Sequence, residues 1–122
     1  MEKVNSSSGE VSHQYKEIFS RNLGFITEEE QEKLRRSTVA IAGMGGVGGL
    51  LAERLVRLGI GNLKIIDPED FERSNFNRQF YSSINTLGRN KAAVISEFLK
   101  SINPHINIHY GKIGIKPLVR RI

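Results

Sequence analysis

An apolar run, Val39-Ala40-Ile41-Ala42, empties directly into Gly43-Met44-Gly45-Gly46-Val47-Gly48-Gly49, and an amphipathic pattern begins immediately afterwards. This junction constrains the fold more than any other stretch. Gly43, Gly45 and Gly48 satisfy the spacing G-x-G-x-x-G after a predicted strand and before a predicted helix, the context that gives the spacing meaning. The first glycine lets the chain turn sharply out of the strand, and the second lets backbone approach a phosphate without a Cβ in the way. The third lets the helix pack closely on the strand. Free N–H groups at the start of that helix, together with its dipole, favour an anion there. The expected ligand is a nucleotide.

Around the junction the chain reads as alternating elements. Thr27-Glu28-Glu29-Glu30 supplies a capping box for a short helix from Glu28 to about Arg36, with its acids first and Arg35 and Arg36 last, as the helix dipole prefers. After the glycines, Leu51, Leu55 and Leu58 recur at helical spacing and predict one inward face, ended by Gly59. Leu63-Lys64-Ile65-Ile66-Asp67 reads as a second strand stopped by Pro68. Its distance from the first predicts a strand-helix-strand unit with parallel strands and a right-handed crossover. The polar stretch from Glu69 to Ser83 has no clean period and reads as a long functional loop. A further helix is expected from about Leu87 to Ile102, with Ala92, Ile95, Leu99 and Ile102 on one face, closed by Asn103-Pro104. Ile106, Ile108 and Tyr110 then alternate with polar residues as a third strand.

This order predicts an α/β, Rossmann-like nucleotide-binding fold with parallel strands, of which the chain carries the N-terminal half. Residues 1–14 read as a flexible arm, because the Ser6-Ser7-Ser8-Gly9 run can bury little. The apolar residues from Tyr15 to Phe25 are expected to dock on the body or on a second subunit. Residues 15–111 form the nucleotide-binding unit and residues 112–122 a basic tail. Only 11 residues follow Gly111 in a chain of 122, too few for the further strands and helices that would cover such a sheet.

Composition removes several alternatives. The chain has no cysteine, which excludes a disulfide, a thiol nucleophile and a cysteine-based zinc site within it. No apolar run approaches the roughly 20 residues that cross a bilayer, and Met1-Glu2-Lys3-Val4-Asn5 has no apolar signal region, so no membrane partner and a cytoplasmic location are expected. The formal net charge is +5. Its basic residues are scattered, except for Lys112, Lys116, Arg120 and Arg121, and no base-stacking aromatic pattern accompanies them, so no nucleic-acid partner is expected. His13, His105 and His109 show no ligand spacing, and no metal-binding residue is assigned.

Asp67 falls about twenty residues past the loop, where an acid in such folds bonds a ribose hydroxyl; a turn cap beside Pro68 is the alternative. Loop and acid alone suit NAD, FAD or an adenine nucleotide equally. The following stretch, Asp67-Pro68-Glu69-Asp70-Phe71-Glu72-Arg73-Ser74-Asn75-Phe76-Asn77-Arg78-Gln79-Phe80, and then Gly88-Arg89-Asn90-Lys91, shifts the balance. Arg78 can fork onto phosphate oxygens, and Lys91 can bring a point charge to a helix start. Together they suit a triphosphate whose charge must be neutralised before another anion attacks it.

Arg21-Asn22, the glycine loop Gly43 to Gly48, Asp67, Ser74-Asn75-Phe76-Asn77-Arg78-Gln79 and Gly88-Arg89-Asn90-Lys91 together resemble the ThiF/MoeB/HesA adenylyltransferases, relatives of the ubiquitin-activating enzymes. The likeness runs from about Tyr15 to Gly111. It implies a partial ThiF-type domain that uses Mg-ATP to activate the C-terminal carboxylate of a ubiquitin-like or sulfur-carrier protein as an acyl-adenylate. In that scheme Asp67 holds the ribose, and Gly43, Gly45, Gly46 and Gly48 line the nucleotide. Asn75, Arg78 and Lys91 contact the phosphates, and Arg21 reaches the ATP of the neighbouring subunit in a homodimer. Arg78, Lys91 and Arg21 are the implied catalytic residues. The chain departs from the pattern in having Pro68-Glu69 after Asp67 in place of D-x-D. The family's magnesium-binding aspartate is expected beyond the end of the chain, so the resemblance implies a truncated or split enzyme, inactive alone. The two competing readings are an NAD(P)-binding oxidoreductase fragment and a non-catalytic nucleotide-binding remnant.

Overall fold

The computed structural model describes residues 2–4 and 12–112, and places the glycine junction at the end of a parallel sheet. Strand β1 is Glu2–Val4, followed by helices α1 (His13–Ile18) and α2 (Glu28–Arg36), strand β2 (Thr38–Ala42), helix α3 (Gly46–Leu58) and strand β3 (Asn62–Ile66). Helix α4 (Lys91–Ile102) and strand β4 (Asn107–Gly111) complete the described chain. The sheet order is β1-β4-β3-β2, with β2, β3 and β4 mutually parallel and β1 antiparallel on β4. The α/β class with parallel strands β2, β3 and β4 is therefore as expected, and β1 adds an antiparallel edge.

Several local rules operate as the residues dictate. Thr27 accepts from the Glu30 N–H while the Glu30 carboxylate accepts from the Thr27 N–H, a reciprocal cap that starts α2 at the expected residue. Gly59 ends α3 in the left-handed conformation, φ +112°, where a side chain would be strained. Leu63 and Ile65 of β3 are fully enclosed, together with Ile106 and Ile108 from the neighbouring segment and Ile95 and Leu99 of α4. Each such side chain contributes roughly 1.5 to 3 kcal/mol by leaving water.

Three expectations are corrected. The arm predicted over residues 1–14 is not wholly without structure: Glu2–Val4 pair with Tyr110, His109 and Ile108, and α1 starts at His13. An open edge of β4 supplies backbone partners that a polar composition cannot reveal. The remaining part of that arm, residues 5–11, and the basic tail from residue 113 onward lie outside the described residues. The inward face of α3 is Gly49, Ala52 and Val56, with Leu55 half-buried, whereas Leu51 and Leu58 are exposed. The cause is closeness: a Cβ at Gly48 would overlap the Gly43 carbonyl oxygen, and one at Gly49 would stand 3.3 Å from Ile95 Cδ1, so the narrow face turns inward. Finally, α4 starts at Lys91, not near Leu87. Gly88 takes φ +80°, its N–H is bonded to Phe71 O, and the Asn90 side chain caps the helix on the Ala93 N–H.

Candidate functional site

The carboxyl ends of β2 and β3 lie side by side, and the chain leaving each strand is tied to the other. Gly43 adopts φ +95° and donates its N–H to Ile66 O at 2.7 Å. The Met44 N–H donates to Asp67 Oδ2 at 2.6 Å, and the Glu69 N–H donates to Asp67 Oδ1 at 2.8 Å. Asp67 is buried and spans the two loops with its carboxylate. The turn-cap role beside Pro68 is thus filled, and each carboxylate oxygen keeps a lone pair that can accept from a hydroxyl.

Helix α3 begins at this place without a side-chain cap, since its N-cap is Gly45. By contrast α1, α2 and α4 are capped by Ser12, Thr27 and Asn90. The first-turn N–H groups of α3 therefore point out of the glycine loop with no side chain bonded to them, where an anion is favoured.

The Ser74–Gln79 box folds over the same loop. A Cβ on Gly46 would stand 3.9 Å from Arg78 O, and one on Gly45 would stand 3.6 Å from Gln79 Nε2. Within the box, Asn75 is buried and accepts from the Glu72 N–H at 2.8 Å, which builds the 3-10 turn Arg73–Asn75. Arg78 is exposed, and its Nη1 donates to Ser74 O and Asn77 Oδ1 at 3.0 and 3.1 Å. Its other guanidinium donors are left to solvent, which suits bidentate recognition of an oxyanion.

Lys91 reaches the site from α4. It is buried, with Nζ 3.3 Å from Glu69 Oε1 and 5.8 Å from the centre of the Phe71 ring. The Asn90 carboxamide donates to Asp67 O and Glu69 O, and the Lys91 N–H donates to Glu69 O, so the start of α4 is bolted to the end of β3. The structure thus gathers Gly43, Gly45, Gly46, Gly48, Asp67, Asn75, Arg78 and Lys91 at one end of the sheet, as an α/β fold arranges a ligand crevice.

Arg21 is not among them. It is exposed in the turn Ser20–Asn22, and the neighbouring Asn22 donates to Leu58 O, at the opposite end of α3 from Gly46. The helix between them spans about 18 Å.

Two residues gain importance that sequence reasoning did not assign. Asn90 organises the β3 exit, and a helix-capping residue directly before Lys91 was the available signal. Gln79 faces Gly45, and its place at the end of the S-N-x-x-R-Q box was the only hint. Among the described residues no group of three His, Asp or Glu side chains could hold a metal ion, and no helix is long and apolar enough to cross a membrane.

Comparison with known proteins agrees with the fold. The chain is 39% identical to tRNA threonylcarbamoyladenosine dehydratase of Bacillus subtilis over 90 residues, 74% of this chain and 35% of that protein. It is 35% identical to ubiquitin-like modifier-activating enzyme 5 of Caenorhabditis elegans over 117 residues, 93% of this chain and 27% of that protein. The chain thus spans between about a quarter and about a third of the length of these curated relatives. Among solved structures, the E. coli tRNA N6-threonylcarbamoyladenosine dehydratase complexes with AMP and ATP superpose with a TM-score of 0.83 at 27% and 26% identity. Each match covers 93% of this chain and 47% of the other. Residues 19–117 match the ThiF family, and the chain belongs to that family.

Proposed function

We propose that this chain supplies the ATP-binding part of an adenylyltransferase that activates a carboxylate, with the C-terminus of a ubiquitin-like or sulfur-carrier protein as the acceptor. The observation that carries the reading is the uncapped start of α3 beneath the Arg78 carbonyl and the Gln79 side chain, with Asp67 and Lys91 held at the same strand end. A plain dinucleotide site needs the loop and the acid but has no use for an arginine and a lysine brought to the same end of the sheet.

In this reading the glycine loop takes the phosphates on backbone N–H groups, Asp67 orients the ribose, and Arg78 and Lys91 neutralise oxygens of the triphosphate. A carboxylate oxygen then attacks the α-phosphorus, an acyl-phosphate bond forms, and pyrophosphate leaves with the electron pair of the broken bond. The attack brings anions together, so the work of this chain is positioning and charge neutralisation. Magnesium would accompany the triphosphate as its counter-ion. Arg21, at the opposite end of α3 from its own loop, serves the loop of a second copy in a homodimer.

Equilibrium titration of the chain with ATP and with NAD tests the nucleotide assignment. Tight ATP binding that Lys91→Ala weakens, with little NAD binding, supports it; preference for NAD sinks it. ATP–pyrophosphate exchange by the complete adenylyltransferase that contains this part, in the presence of a carrier protein, tests the acceptor. The 39% identity to a tRNA-directed enzyme favours a second acceptor, a carboxylate carried on modified tRNA, and exchange stimulated by tRNA in place of the carrier would select it. For the dimer, mixing Arg21→Ala with Arg78→Ala protein restores exchange if Arg21 acts across subunits, and leaves it lost if it does not.

A further inference from the structure

The surroundings of Gln79 are unusual for a glutamine. The side chain is only 7% exposed. Its Oε1 is cut off from solvent and has no hydrogen-bond partner. Its Nε2 is the atom closest to the point where a Cβ on Gly45 would stand, at 3.6 Å. The other buried side-chain polar atom without a partner among the described residues, Asn103 Nδ2, sits at the C-cap of α4, where the same side chain accepts from the His105 N–H.

A buried carboxamide oxygen without a donor destabilises the empty protein, whereas methionine would fill nearly the same volume without that penalty. Packing alone therefore does not account for a glutamine here. What the position does offer is an N–H donor at the uncapped start of α3. The Gln79 Nε2 stands beside Gly45 at the start of α3, whose first-turn N–H groups have no side-chain acceptor, and the neighbouring Asp67 carboxylate is turned to the Met44 and Glu69 N–H groups. That combination selects an oxyanion over a cation or an uncharged hydroxyl.

Resting on the ATP reading above, we propose that Gln79 is a phosphate-binding residue whose Nε2 donates to a non-bridging oxygen of the nucleotide seated on the Gly45–Gly46 turn. As a neutral donor it fixes the position of the phosphate chain, while Arg78 and Lys91 supply the charge.

The test compares the wild-type chain with Gln79→Met and Gln79→Glu, by thermal melting without ligand and by calorimetric titration with ATP and with adenosine. Gln79→Met is expected to melt no lower than wild type and to bind ATP about tenfold or more weakly, with adenosine binding unchanged. Gln79→Glu places a carboxylate against the phosphates and is expected to weaken ATP further, most strongly at low salt. If Gln79→Met binds ATP as wild type does, the inference fails while the ATP reading stands. If Gln79→Met melts lower and loses adenosine in step with ATP, the residue is structural and the inference fails. A wild-type chain that binds no ATP overturns the ATP reading, and this inference with it.

Discussion

The two ends of α3 are both built on glycine, and they use it for opposite purposes. At the C-terminal end, Gly59 and Gly61 are enclosed. The Tyr15 hydroxyl donates to Gly59 O at 2.7 Å and accepts from Gln31 Nε2 at 3.0 Å, while Gln31 and Asn22 both donate to Leu58 O. A Cβ on Gly59 would overlap Gln31 Nε2, and one on Gly61 would overlap the Arg35 carbonyl oxygen. At the N-terminal end, Gly43 and Gly45 face open space or the tip of one side chain, the helix has no side-chain cap, and the Gln79 carboxamide oxygen has no partner. One end satisfies its polar groups within the chain. The other leaves donors pointing outward, as a site does that completes itself with a ligand.

This contrast breaks most easily at Gly61. Gly61→Ala sets a methyl against backbone that cannot yield, and a stability loss on the order of 4 kcal/mol is expected in urea denaturation. A variant with wild-type stability would show that α2 does not clamp α3 there. At the opposite end, Gly45→Ala meets only ordinary contact with Gln79. It is expected to change stability by no more than about 1 kcal/mol and to weaken ATP binding tenfold or more in calorimetry; equal losses at both ends would erase the distinction.

Smaller effects sharpen it. Tyr15→Phe removes the hydroxyl shared by Gly59 and Gln31 and is expected to cost about 1 to 2 kcal/mol with ATP affinity intact, since the contact lies a helix length from the loop. Tyr81→Phe probes the flank of α3, where the Tyr81 hydroxyl donates to Glu53 Oε1 at 2.6 Å. That hydrogen bond, with help from Arg57, holds the Glu53 carboxyl below its ordinary range, while burial pushes the Tyr81 hydroxyl up. A depressed carboxyl contributes stability that is present above its unfolded pKa, about 4.3, and is lost as pH falls through the lower folded value. The wild-type advantage over Tyr81→Phe, about 1 kcal/mol at pH 7, should therefore shrink as denaturation is repeated below about pH 4. A constant difference across that window would remove Glu53 from the account.

Much of this was legible residue by residue. The capping box at Thr27 and Glu30, the left-handed stop at Gly59 and the glycine spacing from Gly43 to Gly48 each follow from rules acting within a few residues. The strands β3 and β4 were placed to within a residue or so, because alternation and Pro68 mark them locally. The face of α3 was not legible. Leu51, Leu55 and Leu58 form the more apolar stripe, yet Gly49, Ala52 and Val56 are buried, because the helix approaches the sheet and α4 too closely for leucine. Nor was the start of α4 legible, since nothing local to Leu87 announces that the Gly88 N–H is drawn to Phe71 O.

By itself the sequence determined that a strand must turn through glycine into a helix with a bare N-terminus, and that an acid and two cations follow at spacings suited to a nucleotide. These are properties of φ angles, missing Cβ atoms and short-range hydrogen bonds. Only the tertiary structure decided that Asp67 bridges the two loops, that Arg21 lies a helix length away, that β1 closes the β4 edge and that Gln79 faces Gly45. Each of those depends on which distant segments come within a few ångströms of one another, and that is set by packing the whole core.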